Sequence, residues 1–238
     1  MRWESETGST NSDVMKAAKA GAKEGLVITA NHQTGGRGRF ERQWVAPPDK
    51  TLSMSVLLRP ARPLERWGWL PLMAGVAVAD GIRSSAVVRT ELKWPNDVQV
   101  AGKKISGILL EVGQDAPPAE SKFAVIGIGI NTGLQADELP TENATSILLE
   151  GGRVERRHLM TAVLESLESW YRRWTGGEDL SEPYLQRCAT IGKQVRVIVS
   201  ENEVYEGRAE GIDGEGGLLV RVGDQLRAFA AADVLHLR

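Results

Sequence analysis

The segment from Asn31 to Trp44, NHQTGGRGRFERQW, places Arg37, Arg39 and Arg42 among three glycines. Glycine raises the entropy that a loop loses on ordering, so this segment is predicted to be mobile until a partner binds it. The planar guanidinium of arginine binds carboxylate and phosphate oxygens through paired hydrogen bonds. The composition therefore predicts a loop that closes over an anionic ligand, and residues 34–44 are called the Gly/Arg loop below.

Four further polar clusters lie where a predicted strand or helix begins or ends. They are GSTN (8–11), KWPND (93–97), KKISGILLE (103–111) and GIGIN (127–131). The last three flank apolar strands, so their polar ends are expected to meet at one rim of a sheet, where open sheets bind ligands. A lysine, an arginine-rich loop and small polar side chains together suit a phosphoanhydride beside a neutral polar ligand.

Several common catalytic arrangements are absent from the sequence. It contains no GxxxxGK[ST] phosphate loop, and GIGINTG has Thr132 where a dinucleotide fingerprint requires its third glycine. Only His32, His158 and His236 occur, without an HExxH pair, and Cys188 is the single cysteine. The sequence therefore predicts no histidine-based metal site and no enzyme nucleophile.

The overall charge and hydropathy exclude further classes of protein. With 29 Lys+Arg against 31 Asp+Glu the net charge is −2, so no general basic field attracts nucleic acid and any anion site is local. The longest apolar runs, such as Leu70 to Ala79, are too short to cross a bilayer. The N-terminus lacks the basic-then-apolar order of a signal peptide. We expect a cytoplasmic protein that inserts into no membrane.

Hydrophobic periodicity predicts the elements that carry the polar clusters. Predicted strands cover 25–31, 51–59, 90–94, 105–113 and 123–131, and predicted helices begin at Asn11 or Ser12, at Pro71, at His158 and at Leu180. Asn11 or Ser12 is the predicted N-cap of the first helix, and a surface turn rich in proline is predicted over 115–120.

The pattern changes again near residue 188. Short alternating strands, separated by the turns ENE, DGEG and GD, suit a small barrel of about fifty residues. We therefore predict two domains, a catalytic domain over 1–187 and a small β domain over 188–238.

Taken in order, STN, QTGGRGR, KWPND, KISGILLE and GIGIN resemble the catalytic region of the biotin protein ligases. The C-terminal strands resemble the small SH3-like domain of that family, so the resemblance covers nearly the whole chain. It implies an α+β fold, in which a mixed β-sheet with helices packed on it, as in class II aminoacyl-tRNA synthetases, is followed by a small SH3-like β-barrel. Many bacterial members begin with a DNA-binding winged helix. Here GSTN starts at residue 8, so DNA binding is not expected.

The resemblance also implies a reaction in two steps. The carboxylate of biotin attacks the α-phosphorus of ATP, giving biotinyl-5′-AMP and pyrophosphate, with Mg²⁺ bound to the ATP. A lysine on the biotin carboxyl carrier protein domain of a carboxylase then attacks the mixed anhydride and releases AMP. The enzyme contributes mainly positioning and charge stabilisation. The sequence leaves both a monomer and a homodimer open.

Residue by residue, the resemblance implies three overlapping sets of contacts. The catalytic residues are Lys104 and Arg39. The biotin contacts are Ser9, Thr10, Asn11, Gln33, Arg37, Gly38, Arg39, Trp44, Lys104, Gly107, Gly127 and Gly129. The nucleotide contacts are Arg37, Arg39, Arg42, Lys93, Asn96, Asp97, Lys104, Asn131 and Arg238. Gly107 and Gly129 are predicted to let the flat bicyclic ring of biotin lie against the strand backbone, because a Cβ atom would fill that space.

Other interpretations stay open. GSTN is also typical of a helix N-cap, and PND is typical of a turn. Trp44 can be a core residue, and the Gly/Arg loop resembles a single copy of an RNA-binding RGG repeat. For the whole protein the alternatives are a lipoate or octanoate ligase of the same fold and a non-enzymatic biotin- or nucleotide-sensing module. Ser9, Thr10 and Gln33 favour biotin, because lipoate offers no ureido group. Lys104 and the arginines favour an enzyme, because a sensor needs no charge stabilisation at the α-phosphate.

Overall fold

The computed structural model describes residues 1–40, 42–44, 46–115 and 121–237, and within them a seven-stranded sheet forms the larger layer. Its strands are β1 (Arg2–Thr7), β2 (Val27–Gln33), β3 (Thr51–Leu58), β4 (Glu91–Lys93), β5 (Asp97–Val100), β6 (Lys103–Gln114) and β7 (Lys122–Asn131). They lie in the order β1-β2-β3-β7-β6-β5-β4, with β1 parallel to β2 and every other neighbouring pair antiparallel. The sheet is therefore mixed, as predicted.

Helices cover the two faces of this sheet. They are α1 (Thr10–Lys19), α2 (Trp69–Ala86), α3 (Arg156–Thr175) and the short α4 (Ser181–Leu185). On one face α1 buries Val14 and Ala18 against Leu57, Phe123 and Val125. The opposite face carries the main core, into which α2 and α3 pack. Alternation along β7 explains the division, because successive side chains of a strand point to opposite faces.

The structure differs from the sequence predictions by one or two residues at the start of each helix, and α3 begins at Arg156 rather than His158 and α4 at Ser181 rather than Leu180. Ser9 occupies the N-cap of α1 with an extended backbone, so the prediction that Asn11 or Ser12 caps this helix is wrong. The amide of Asn11 instead bonds to side chains of the sheet. Helix α2 begins at Trp69 rather than Pro71. Proline is tolerated in a first turn, because the N–H that it lacks has no acceptor within the helix there.

Two strands of the large sheet were not predicted. β1 is an edge strand with exposed side chains, so it shows no alternation of apolar and polar residues. β5 begins at Asp97, the last residue of the predicted PND turn, and has only four residues. The proline-rich turn predicted over 115–120 lies, except for Asp115, outside the described residues.

A second sheet is formed by the C-terminal strands β8 (Gln194–Ser200), β9 (Glu203–Ile212), β10 (Leu218–Val222), β11 (Gln225–Phe229) and β12 (Asp233–His236). Their order is β11-β10-β9-β8-β12, and every neighbouring pair is antiparallel. Because β11 and β12 are the two edges, the predicted SH3-like barrel is not closed by hydrogen bonds among the described residues. The predicted α+β fold is otherwise confirmed.

The two sheets contact each other closely. The segment that joins α4 to β8 binds to β4, since the backbone N–H of Leu92 donates to the carbonyl of Arg187 at 2.8 Å and that of Ala189 donates to the carbonyl of Leu92 at 2.8 Å. Buried side chains from both sheets belong to a single apolar cluster. The division into domains at residues 187 and 188 stays a prediction. None of the described helices is both long and apolar enough to span a membrane.

Candidate active site

A cavity of about 650 Å³ lies over the face of the large sheet that carries α1. It is lined by residues from the start of α1, the Gly/Arg loop, the β4–β5 turn, β6, β7 and the C-terminal sheet. The predicted site residues among them are Ser9, Thr10, Asn11, Gln33, Arg37, Gly38, Arg39, Arg42, Trp44, Lys93, Asn96, Asp97, Lys104, Gly107, Gly127, Gly129 and Asn131. The polar clusters thus meet at one end of the strands, as predicted, where β2 ends at Gln33, β7 ends at Asn131 and β6 begins at Lys103. Arg238 lies outside the described residues.

The first turn of α1 forms one end of the cavity. The side-chain Oε1 of Gln33 accepts hydrogen bonds from the backbone N–H of Thr10 at 2.8 Å and from its hydroxyl at 3.0 Å. The Thr10 hydroxyl also lies 2.7 Å from the hydroxyl of Ser55 on β3. Because Oε1 already has two donors, the amide of Gln33 presents its Nε2 as a donor.

Asn11 is held from three sides. Its Oδ1 accepts a hydrogen bond from the Ser55 hydroxyl at 2.5 Å, and its Nδ2 donates to Glu111 Oε2 at 2.8 Å. Gly127 lies beneath it, where an added Cβ atom would be 2.2 Å from Asn11 Oδ1. Gly127 is therefore required for the packing of Asn11.

The Gly/Arg loop folds back on itself over the cavity. Gly38 N–H donates to the carbonyl of Arg42 at 2.6 Å, and Trp44 N–H donates to that of Gly36 at 2.8 Å. The loop is described except for residue 41. Its backbone bonds form a hairpin that the sequence did not predict.

Each arginine of the loop has a protein acceptor. Arg37 donates to Glu111 Oε2 at 2.9 Å and to the Ser12 hydroxyl at 3.1 Å. Arg39 donates to the carbonyl of Ala232 at 3.2 Å and to Asn96 Oδ1 at 3.4 Å, while Arg42 forms an ion pair with Asp233. Residues 232 and 233 belong to the C-terminal sheet region, so this loop joins the two sheets.

Trp44 lies against the two glycines predicted to face the ligand ring. A Cβ atom at Gly129 would be 2.5 Å from Trp44 Cε2, and one at Gly107 would be 3.1 Å from Trp44 Cζ3. In the described part of the chain the buried Nε1 of this indole has no acceptor. The flat ring that lies against these glycines here is that of Trp44, and the placement of the biotin ring against them stays a prediction.

Basic side chains gather at the other end of the cavity. Lys104 Nζ lies 2.5 Å from Asp97 Oδ1 and 5.8 Å from the centre of the Trp44 ring. Burial lowers the pKa of Lys93, and the nearby Lys104 lowers it further, while Asp97 opposes the change. Burial also lowers the pKa of Arg39. Cations that have lost water in this way stabilise a bound anion strongly.

Two predicted nucleotide contacts also support the backbone. Asn96 Nδ2 donates to the carbonyl of Ile108 at 2.8 Å, and Asn131 Nδ2 donates to that of Thr145 at 2.8 Å. The Oδ1 atom of each amide is an acceptor, and at Asn96 it receives the hydrogen bond from Arg39. Among the described residues no group of three or more His, Cys, Asp or Glu side chains could hold a metal ion by itself.

Three residues with contacts in the site were missed. Ser55 and Glu111 bond to predicted site residues, and Asp233 pairs with Arg42. Glu111 ends the KISGILLE motif, and Ser55 belongs to the polar face of β3, so both carried a signal in the sequence. Asp233 is separated from Arg42 by 191 positions, and nothing local marks it.

Comparison with known proteins gives a consistent relationship. Residues 6–131 match the biotin/lipoate A/B protein ligase family, and residues 190–237 match the biotin protein ligase C terminal domain. The chain is 39% identical to a biotin–[acetyl-CoA-carboxylase] ligase of Mycobacterium tuberculosis, over 98% of this chain and 87% of that protein. It is 34% identical to the bifunctional ligase/repressor BirA of Bacillus subtilis, over 95% of this chain and 70% of that protein.

Solved structures share the fold. A biotin protein ligase from Aquifex aeolicus in complex with biotin and ATP matches with a TM-score of 0.82 at 24% identity, covering 99% of this chain and 98% of that one. A biotin protein ligase from Leishmania major in complex with biotin matches with a TM-score of 0.62 at 25% identity, covering 97% and 98%.

Proposed function

Because the chain belongs to the biotin/lipoate A/B protein ligase family, we propose that it is an enzyme that activates biotin with ATP and transfers it to a protein. The biotin carboxylate attacks the α-phosphorus of ATP, which forms biotinyl-5′-AMP and releases pyrophosphate. The ε-amine of a lysine on a biotin carboxyl carrier domain then attacks the anhydride carbonyl, and AMP leaves. The observation that carries this proposal is the single cavity that contains every described residue of the predicted site.

The ring of biotin is assigned to the end of the cavity near α1. The ureido group both donates and accepts hydrogen bonds, so it suits the small polar side chains of Ser9, Thr10 and Asn11 together with the Nε2 donor of Gln33. Trp44 supplies an apolar ring beside Gly107 and Gly129. For biotin to lie against these glycines, the indole of Trp44 has to move aside and cover the ligand from above.

The phosphates are assigned to the opposite end, where the basic side chains gather. Lys104 can reach both the carboxylate and the α-phosphate, and Arg39 approaches from the Gly/Arg loop; both stabilise the negative charge that develops during attack. Lys93, Arg42 and Arg238 are assigned to the remaining phosphate and nucleotide contacts. Mg²⁺ arrives bound to ATP, whose oxygens supply its ligands, and it neutralises phosphate charge.

In the second step Asp97 is assigned to orient the incoming amine, since its carboxylate lies beside Lys104 in the cavity. The acceptor is the carrier domain of a biotin-dependent carboxylase, in keeping with the name of the mycobacterial relative. Such carboxylases and ATP are cytoplasmic, and we assign this protein to the same compartment.

A pyrophosphate-release assay tests the proposal. With ATP and Mg²⁺, biotin should support pyrophosphate release, while lipoate and octanoate at equal concentration should not. Neither of these acids has a ureido group to form hydrogen bonds with Gln33 and the first turn of α1. Adding a purified carrier domain should then give a product heavier by one biotinyl group in a mass spectrum. Release with lipoate and none with biotin would replace the proposed substrate, and no release with any acid would overturn the proposed enzyme activity.

A further inference from the structure

Glu111 links two parts of the site that are far apart in the sequence. Its Oε2 accepts one hydrogen bond from Asn11 Nδ2 at 2.8 Å and another from Arg37 at 2.9 Å. Asn11 belongs to the first turn of α1, whereas Arg37 stands at the base of the Gly/Arg loop, where it pairs with Gln43 in an antiparallel bridge. One carboxylate oxygen therefore connects the end of the cavity near α1 to the Gly/Arg loop.

The chain of hydrogen bonds has a fixed direction. The Ser55 hydroxyl donates to Asn11 Oδ1, so Asn11 turns its oxygen toward Ser55 and its NH₂ toward Glu111. Asn11 is 4% exposed and Ser55 is fully buried. If the Asn11 amide were reversed, its NH₂ would face the Ser55 hydroxyl proton, and its oxygen would face the Glu111 carboxylate. Glu111 therefore fixes which way Asn11 presents its polar atoms.

Arg37 supplies the counter-ion of this carboxylate, at 2.9 Å from its Oε2. The Glu111 side chain is 24% exposed, and a largely buried carboxylate without a counter-ion is unfavourable. The same guanidinium also donates to Ser12 in the first turn of α1. Arg37 thus has acceptors on β6 and α1, and these contacts hold it toward the sheet, away from the Ala232 and Asp233 region that Arg39 and Arg42 contact.

We propose that Glu111 is a positioning residue that couples the biotin-ring site to the Gly/Arg loop, with Arg37 as its counter-ion and not as a phosphate ligand. The inference rests on the proposed function. When Glu111 loses its charge, Asn11 loses its fixed orientation and the base of the loop loses its anchor. Biotin binding then weakens, while the separate basic end of the cavity still binds ATP.

A double-mutant cycle tests the coupling. Glu111→Gln, Arg37→Gln and the double variant are compared by calorimetric titration with biotin alone and with ATP and Mg²⁺ alone. We expect each single variant to weaken biotin binding about tenfold, the size for loss of one charge-assisted hydrogen bond, and the double variant to be no weaker than either. ATP binding should stay unchanged. Trypsin cleavage after Arg39 should be faster in all three.

Glu210→Gln is the matched control. Glu210 also lies on a strand and pairs with an arginine, since Arg221 Nε donates to it at 2.8 Å, but it belongs to the C-terminal sheet and does not line the cavity. It should leave biotin binding unchanged.

Additive losses in the double variant would overturn the coupling, and a loss of ATP affinity in Arg37→Gln would show that Arg37 binds phosphate. If Glu111→Gln unfolds at a lower urea concentration than the wild type, the test rests on Arg37→Gln. Unchanged biotin affinity in Arg37→Gln would then overturn the proposal. Failure of the wild-type protein to bind biotin at all would instead overturn the proposed function.

Discussion

Burial removes part of the hydration of Arg39 and Lys93, and it thereby lowers the pKa of both side chains. A cation with fewer bound waters stabilises an incoming phosphate more than an exposed one does, because the local dielectric is low. The chain as a whole carries a net charge of −2, so this effect is confined to the cavity. Charge placement, and not total charge, therefore selects the anion.

Replacing Lys104 by alanine should nearly abolish formation of the adenylate. Its Nζ contacts Asp97 and lies inside the cavity, so the variant removes one preorganised charge from the site of attack. We expect the rate of ATP–pyrophosphate exchange to fall about a hundredfold or more. Lys103→Ala is the control, because this neighbour is exposed and should keep the wild-type rate. Exchange at a near wild-type rate in Lys104→Ala would contradict the assignment.

His236 should make the protein less stable as the pH falls from about 6.5 to about 4. Burial, assisted by Lys193 and Lys93, lowers the folded-state pKa of His236 from 6.5 to about 4, and its Nε2 lies 3.1 Å from the Thr190 hydroxyl. Between these values the unfolded chain binds a proton that the folded one does not, so the free energy of unfolding rises with pH. Urea unfolding at pH 7 and pH 5 measures the change. His236→Gln should reduce this pH dependence, and an identical pH dependence in both proteins would refute the explanation.

At the scale of elements, a β-bulge decides where Lys104 points. Val98 pairs with Ser106 but Gln99 pairs with Lys104, so β6 carries one extra residue at Ile105. A bulge of this kind shifts the alternation of side chains. Lys104 consequently lies on the same face as Gly107, where an added Cβ atom would be 3.1 Å from its Nζ.

The sequence could therefore predict the strands, but not that Lys104 and Gly107 lie on the same face of β6. The alternation in KISGILLE identifies β6, yet simple counting from Lys104 to Gly107 places the two on opposite sides. Their common location was predicted only by resemblance to a family. Alternating apolar residues predicted β3, and a run of apolar residues predicted β7. The residues of β1 are mostly polar and exposed, so they show no pattern typical of a strand.

The Gly/Arg loop should become resistant to trypsin when biotin and ATP bind together. Its glycines allow opening, and ordering about ten residues costs on the order of 10 kcal/mol, so closure depends on contacts made by the ligand. Each arginine of the loop already has a protein acceptor in the structure, so ligand binding has to replace or retain these contacts. We expect slower cleavage after Arg39 and Arg42, with the exposed Lys23 as an internal reference. Equal rates in both states would show that this loop is not the lid.

At the scale of the whole molecule, the C-terminal sheet completes the cavity. Ala232 and Asp233 bind the arginines of the loop, and Ile198 and His236 line the cavity wall. The turn from Asp213 to Gly217 fixes this sheet in place. Trp69 Nε1 donates to the carbonyl of Gly214 at 3.1 Å, and Trp94 Nε1 donates to that of Gly216 at 3.0 Å. Such pairings join positions more than a hundred residues apart, so no local sequence pattern could predict them.

Replacing Gly216 by alanine should loosen the contact between the two sheets. Its φ is +91°, and an added Cβ atom would lie 2.7 Å from the carbonyl carbon of Gly68. Gly21→Ala is the control, since its φ of +88° carries a similar backbone penalty but nothing lies within 4 Å of an added Cβ. Gly216→Ala should therefore lower the free energy of urea unfolding by roughly 1–3 kcal/mol more than the control does. It should also raise KM for ATP, because Asp233 and the cavity wall move with the sheet. Equal losses of stability in the two variants would mean that the turn does not hold the sheets together.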